Sequence, residues 1–168
     1  MPTAQNRGTL SRKLRSYGLP ACQLALLALV LQSGRAPAAS PVSLAVIVNP
    51  ASSAGSIGFV ELASIYTRAT RKWKDGTPIR ALNLKVGSPE RVEFDRVILD
   101  MSPERSAQFW MDRQVRGEEG APKAIAQADI VVSLVATMNG AVGYVPEDKV
   151  DAKVRVVARI RGGRLVAP

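Results

Sequence analysis

The sequence predicts one domain of the α/β class, in which a mixed sheet is flanked by helices. Short, continuously apolar runs rich in β-branched residues, such as Leu44–Val48, are typical of strands buried inside a sheet. Other segments carry apolar residues at i, i+3, i+4 and i+7, which is the spacing of one helix face. The chain has 168 residues, 46% of them apolar, and this is enough for one packed core.

The first forty residues are predicted to be an export signal rather than part of the domain. They contain five Lys or Arg and no acid, and their apolar run at 19–31 is shorter than the roughly 20 residues of a membrane span. Cleavage after Ala38 fits the small residues that follow this run. We therefore expect a signal peptide over 1–38, a domain over 39–168 with a short basic C-terminal tail, and a periplasmic location. A membrane anchor or a buried helix is the alternative interpretation of the apolar run.

The first strand, at 44–48, is followed by a loop of small residues and then by a helix. Asn49 and Pro50 end the strand, and Ser56 is a plausible N-cap for the helix. The predicted buried face of this helix consists of Phe59, Leu62, Ala63 and Tyr66. A strand followed directly by a helix is the repeating unit of an α/β domain.

Two further helices are predicted to begin at the repeated tetrapeptide Ser-Pro-Glu-Arg, at 88–91 and 102–105. Serine at the N-cap, proline next and an acid in the first turn form a common helix start. A strand is predicted over 79–86, before the first of them. The remaining segments are a short helical piece at 124–128, an apolar run at 130–135 that fits a strand or a buried helix, and strands at 141–145 and 153–160.

Positive charge is concentrated in two segments of the predicted mature chain. Removal of the signal leaves 18 Lys and Arg against 14 Asp and Glu, so the net charge falls from +9 to +4. Residues 68–85 and residues 153–164 each carry a net charge of +5, and the second segment alternates basic with apolar residues. These segments are either solvated faces or a surface that docks a partner. An exported chain with this modest charge is not expected to bind nucleic acid.

Several kinds of catalytic site are excluded by composition. The chain has no His and one Cys, so it cannot form a Ser-His relay, a Cys-His pair or a zinc site with imidazole ligands. It also lacks a phosphate-binding P-loop and a nucleophile elbow. We expect no enzyme activity and no cofactor.

Anion recognition is the chemistry that the remaining motifs favour. Hydroxyl residues between a strand and a helix present backbone N–H groups and a partial positive charge to an oxyanion. Two such junctions occur, at Ser52 and Ser53 and at Gly87 and Ser88, and Arg91 lies beside the second. An arginine binds phosphate or carboxylate through two parallel hydrogen bonds. The same serines also fit ordinary helix caps, so both interpretations remain open.

An ordered set of short motifs resembles the phosphate-type periplasmic substrate-binding proteins of ABC transporters. The set comprises the strand and Asn-Pro at 44–50, Trp-Lys-Asp-Gly-Thr-Pro-Ile at 73–79, Gly87-Ser88 with Arg91 and Phe94, Trp110, Gly117, Pro122, and Gly-Ala-Val-Gly-Tyr-Val-Pro at 140–146. The resemblance implies a single lobe of the type II periplasmic-binding-protein fold. It also implies an oxyanion loop in which Gly87, Ser88 and Arg91 are ligands, whereas Pro89 and Glu90 depart from the pattern of that loop.

Two functions follow as expectations. The first is an exported solute-binding module for inorganic phosphate or a similar oxyanion, with Gly87, Ser88 and Arg91 as ligands and Ser52 and Ser53 in secondary roles. The alternative is a module without a ligand that docks a membrane transporter or sensor protein through its basic segments. Binding to an anionic membrane surface is a third and weaker interpretation.

Overall fold

The computed structural model of the chain describes residues 42–168, and these residues form a mixed sheet with helices packed against it. The strands of this part are β1 (Leu44–Val48), β2 (Arg80–Leu84), β3 (Lys123–Ile125), β4 (Ala141–Pro146), β5 (Arg155–Arg161) and β6 (Arg164–Val166). The helices are α1 (Phe59–Tyr66), α2 (Pro89–Phe94), α3 (Pro103–Val115) and α4 (Ala128–Thr137). A π-helical turn over Asp95–Leu99 continues α2, and a 3-10 turn over Glu147–Lys149 follows β4.

The direction of β1 determines which loops share an edge of the sheet. The strand order is β3-β2-β4-β1-β5-β6. β2 runs parallel to β3 and β4, whereas β1 runs antiparallel to both of its neighbours, β4 and β5. Val142 pairs with Ala81 near the start of β2 and with Val48 at the end of β1. The end of β1 therefore lies at the edge where β2 and β4 begin, which we call the first edge, and β2 and β3 end at the opposite, second edge.

Helices cover both faces of the sheet around β4. On one face α4 packs so closely that a Cβ at Gly143 would lie 2.6 Å from Val131 Cγ1. Tyr144, the next residue, points to the other face. There its ring stacks on Phe94 of α2 with centroids 3.9 Å apart, and Tyr66 of α1 lies 4.5 Å from Phe94. These contacts form the centre of the core and fix α1 and α2 against the sheet.

Most of the predicted elements are confirmed, and the run at 130–135 belongs to α4. The prediction of a short helix at 124–128 is wrong, because residues 123–125 form β3, which pairs in parallel with β2. Ser56 is not the cap of α1, since the N-cap is Gly58 and no side chain bonds to that turn. Phe59 is 48% exposed, and the buried face of α1 consists of Leu62, Ile65 and Tyr66.

A β-bulge in β5 interrupts the regular alternation of buried and exposed side chains that the sequence predicted for this strand. Ala158 pairs with Val46 and Val156 pairs with Ile47, so Val157 is an extra residue in the ladder. Val157 and Ala158 are both buried, although they are adjacent in sequence. Simple alternation of inward and outward side chains therefore breaks down in the middle of β5.

The predicted signal peptide and its cleavage site lie outside the described residues. From residue 42 onward, no helix is both long enough and apolar enough to cross a membrane.

Replacement of Gly143 by Ala is expected to destabilise the domain by about 1–3 kcal/mol, because the new methyl group overlaps Val131 on α4. The free energy of unfolding from urea titration measures this change. Gly120→Ala is the control, since a Cβ at Gly120 meets no atom within 4 Å. Equal losses in the two variants would contradict the close packing of α4 on β4.

Candidate functional site

The loop that carries Gly87 and Ser88 lies at the second edge, directly after β2. Gly87 has a φ of +80°, a left-handed conformation that glycine adopts without strain. The N–H of Ser88 donates to the carbonyl of Lys85 at 3.1 Å, which closes the turn. The Ser88 hydroxyl accepts a hydrogen bond from the N–H of Arg91 at 3.2 Å, so it caps α2, with Pro89 in the first turn. The N–H and the hydroxyl oxygen of Ser88 thus both have partners within the turn.

Arg91 lies in a buried ion pair with an acid that the sequence argument did not identify. Its Nε donates to Asp95 Oδ2 at 2.7 Å, and the hydroxyl of Ser106 on α3 donates to the same oxygen at 3.0 Å. Arg91 is 5% exposed and Asp95 3% exposed. The other carboxylate oxygen, Asp95 Oδ1, has no partner among the described residues. The spacing of four residues between Arg91 and Asp95 would have allowed this pair to be predicted from the sequence, because such residues lie on one face of a helix.

Two buried tyrosines of the same region form hydrogen bonds to β2. The Tyr144 hydroxyl donates to Asn83 Oδ1 and accepts from the N–H of Leu84, both at 3.3 Å. The Tyr66 hydroxyl donates to the carbonyl of Leu82 at 3.0 Å. Burial raises the pKa of Tyr66 and the pKa of Tyr144 well above the ordinary value. Both phenols are therefore neutral and serve as fixed hydrogen-bonding groups.

A cavity of about 200 Å³ adjoins the Arg91–Asp95 pair. It lies between α2, α3 and the segment that leads into β3. Its lining consists of Val86, Gly87, Arg91, Val92, Asp95, Pro103, Ser106, Ala107, Trp110, Ala121, Pro122 and Ala124. The position follows the general rule that open α/β sheets bind ligands outside the carboxyl ends of their strands. A small ligand in this cavity would lie beside the buried charges.

Trp110 also lines this cavity, although the sequence analysis assigned it no role in binding. Its indole N–H is buried and has no acceptor among the described residues. The ring packs edge-on against Phe109, with centroids 4.9 Å apart, and the guanidinium of Arg113 lies 5.6 Å from its centroid. These contacts hold the indole in place at the cavity wall.

Ser52 and Ser53 lie at the first edge and are remote from Ser88. The Ser52 hydroxyl accepts from the N–H of Ala54 at 3.2 Å, and its carbonyl accepts from Arg155 at 2.7 Å. A hydrogen bond from the Ser53 side chain lowers the pKa of Asp75. The length of β2, about 15 Å, separates the two edges. The structure therefore brings Gly87, Ser88 and Arg91 together and leaves Ser52 and Ser53 outside their site.

No cluster of three or more His, Cys, Asp or Glu side chains in residues 42–168 is arranged to hold a metal ion.

Neither protein-family models nor curated proteins match this sequence. Solved structures do match its fold. An ABC-type phosphate transport receptor from Vibrio cholerae aligns with a TM-score of 0.56 at 18% identity, over 70% of this chain and 47% of the receptor. A putative phosphate ABC transporter substrate-binding protein with bound phosphate, from Clostridium perfringens, aligns with a TM-score of 0.56 at 20% identity, over 70% of this chain and 46% of that protein. PstS from Borrelia burgdorferi aligns with a TM-score of 0.54 at 16% identity, over 69% of this chain and 47% of that protein.

The chain spans about half the length of these receptors. It has the fold of a single lobe of the phosphate-type periplasmic binding proteins, and the predicted fold class is confirmed. The names of the Vibrio and Clostridium proteins describe them as parts of phosphate ABC transport systems.

Replacement of Asp95 by Ala is expected to destabilise the domain by about 3–5 kcal/mol, because it leaves the Arg91 charge buried without a partner. Urea titration measures the loss. Glu93→Ala breaks an ion pair with the exposed Arg96 on the same helical segment and is expected to change stability far less. The buried pair would be refuted as a stabilising element if Asp95→Ala were no more harmful than Glu93→Ala.

Proposed function

We propose that this chain is an exported solute-binding module, located in the periplasm, that binds phosphate or another oxyanion at the second edge. The observation that supports this function is a cavity that adjoins a buried arginine at the carboxyl ends of β2 and β3. In this proposal Gly87 allows a ligand to approach the backbone closely, and Arg91 is the cation that contacts the anion. Ser88 positions Arg91 through the helix cap.

Arg91 retains donors for a ligand despite its ion pair. A guanidinium presents five N–H donors, and the hydrogen bond to Asp95 uses Nε. The remaining donors lie on the two terminal nitrogens, and Arg91 is one of the residues that line the cavity. An oxyanion would add to a pair of opposite charges rather than to a free cation, so binding is expected to be weaker than at an unpaired arginine.

The partnerless oxygen of Asp95 predicts which oxyanions bind. A fully deprotonated anion beside this carboxylate is repelled, whereas an anion that carries a proton donates a hydrogen bond to Asp95 Oδ1. Monohydrogen phosphate carries such a proton near neutral pH, and sulfate does not. We therefore expect phosphate to bind more tightly than sulfate.

Isothermal titration calorimetry with phosphate and sulfate tests this function. Saturable heat is expected for phosphate, and the double variant Arg91→Met/Asp95→Asn is expected to lose it, because the cation is absent while no buried charge is left unpaired. Arg96→Met/Glu93→Gln removes the ion pair between the exposed Arg96 and the partly buried Glu93 on the same segment and serves as the matched control. The oxyanion proposal fails if millimolar phosphate gives no heat, or if both double variants bind as the unmodified chain does.

A second candidate function, docking to a transporter or sensor protein, is favoured by the charges at the first edge. Lys72, Lys74 and Arg80 are exposed there, and none of them has an ion-pair partner among the described residues. The cations of β5 contribute less, because Arg159 and Arg161 pair with Glu147 on the 3-10 turn. Hydrogen bonds from Arg161 lower the pKa of Glu147, so this carboxylate remains charged at neutral pH.

Docking through the first edge predicts that Lys72→Glu/Lys74→Glu abolishes capture of a partner from envelope extract, because the charge of the surface is reversed. Capture is also expected to weaken as salt rises, since these side chains are exposed. Lys85→Glu/Lys123→Glu makes the same change of charge away from this edge and is the control. Loss of capture in both variants would indicate attraction to the net charge rather than docking at this surface.

A further inference from the structure

We infer that the ligand of the cavity is an oxyanion with a small apolar substituent, such as an aryl or alkyl phosphonate or phosphate monoester. This inference rests on the proposed oxyanion site, and it specifies the class of oxyanion that the cavity would bind. The anionic head would contact Arg91, and the apolar substituent would fill the space beside α3.

The volume and the walls of the cavity support an apolar substituent. An apolar protein cavity of about 150 Å³ is large enough for benzene, and this one measures about 200 Å³. Its walls come mainly from the hydrocarbon groups of Val92, Pro103, Ala107 and Pro122. A bare phosphate ion would leave these walls facing water, whereas a phenyl or short alkyl group would cover them.

The charged and polar groups of the cavity support an anionic head on the same molecule. Arg91, Asp95 and Ser106 form one connected network in the lining. Two buried polar atoms of lining residues lack partners, the acceptor Asp95 Oδ1 and the donor Trp110 Nε1. A pure hydrocarbon offers no hydrogen bond to this polar network, at a cost in free energy. A protonated phosphonate or phosphate ester has both a hydroxyl to donate and oxygens to accept.

Calorimetry with three probes tests the inference: inorganic phosphate, phenylphosphonate and benzyl alcohol. We expect phenylphosphonate to bind about 10- to 100-fold more tightly than phosphate, which is the gain from burial of one phenyl group. Ala107→Phe places a ring at the cavity wall and is expected to reduce phenylphosphonate affinity to the affinity that the unmodified chain shows for phosphate. Gln108→Phe puts the same ring on the neighbouring position of α3, outside this cavity, and is the matched control.

The possible failures of this experiment are distinct. If phosphate binds and phenylphosphonate binds no more tightly, the substituent has no site and the inference is overturned, while the proposed function stands. If benzyl alcohol binds as tightly as phenylphosphonate, the cavity takes apolar groups without an anion, which also overturns it. If none of the three probes binds, the oxyanion function and the inference fail together.

Discussion

The buried ion pair between Arg91 and Asp95 is the interaction on which the second edge depends. It links the first turn of α2 to the π-helical turn, and Ser106 extends the link to α3. Because both charges are removed from water, each is tolerable only while the other is present. The pair therefore fixes the position of α3 beside α2, and the cavity is the space that this arrangement leaves between them.

The same pair imposes a limit on ligand chemistry. A lobe that offered a free arginine would attract any dianion, but here a carboxylate lies 2.7 Å from the guanidinium nitrogen. In the proposed oxyanion site, a ligand must satisfy a cation and an acceptor oxygen together, within walls that are largely hydrocarbon.

The sequence predicted well those features that depend on neighbouring residues. The continuous apolar run of β1 and the serine caps at Ser88 and Ser102 are formed as expected, because each is set by side chains a few positions apart. β3 was missed because three residues carry almost no periodic signal, and their strand exists only through pairing with β2. The ion pair could have been read from its spacing, whereas the contribution of Ser106 depends on how α3 packs.

The sequence alone determined the α/β class, the starts of α2 and α3 and the residue types that exclude histidine-based catalysis. Tertiary structure decided which of the candidate residues share a site. β1 runs antiparallel to β4, so Ser52 and Ser53 lie at the edge opposite Ser88, although both serine loops follow strands. The bulge at Val157 was likewise decided by the partner strand. Strand direction and ladder register arise from contacts between residues far apart in the chain, and local sequence patterns do not predict those contacts.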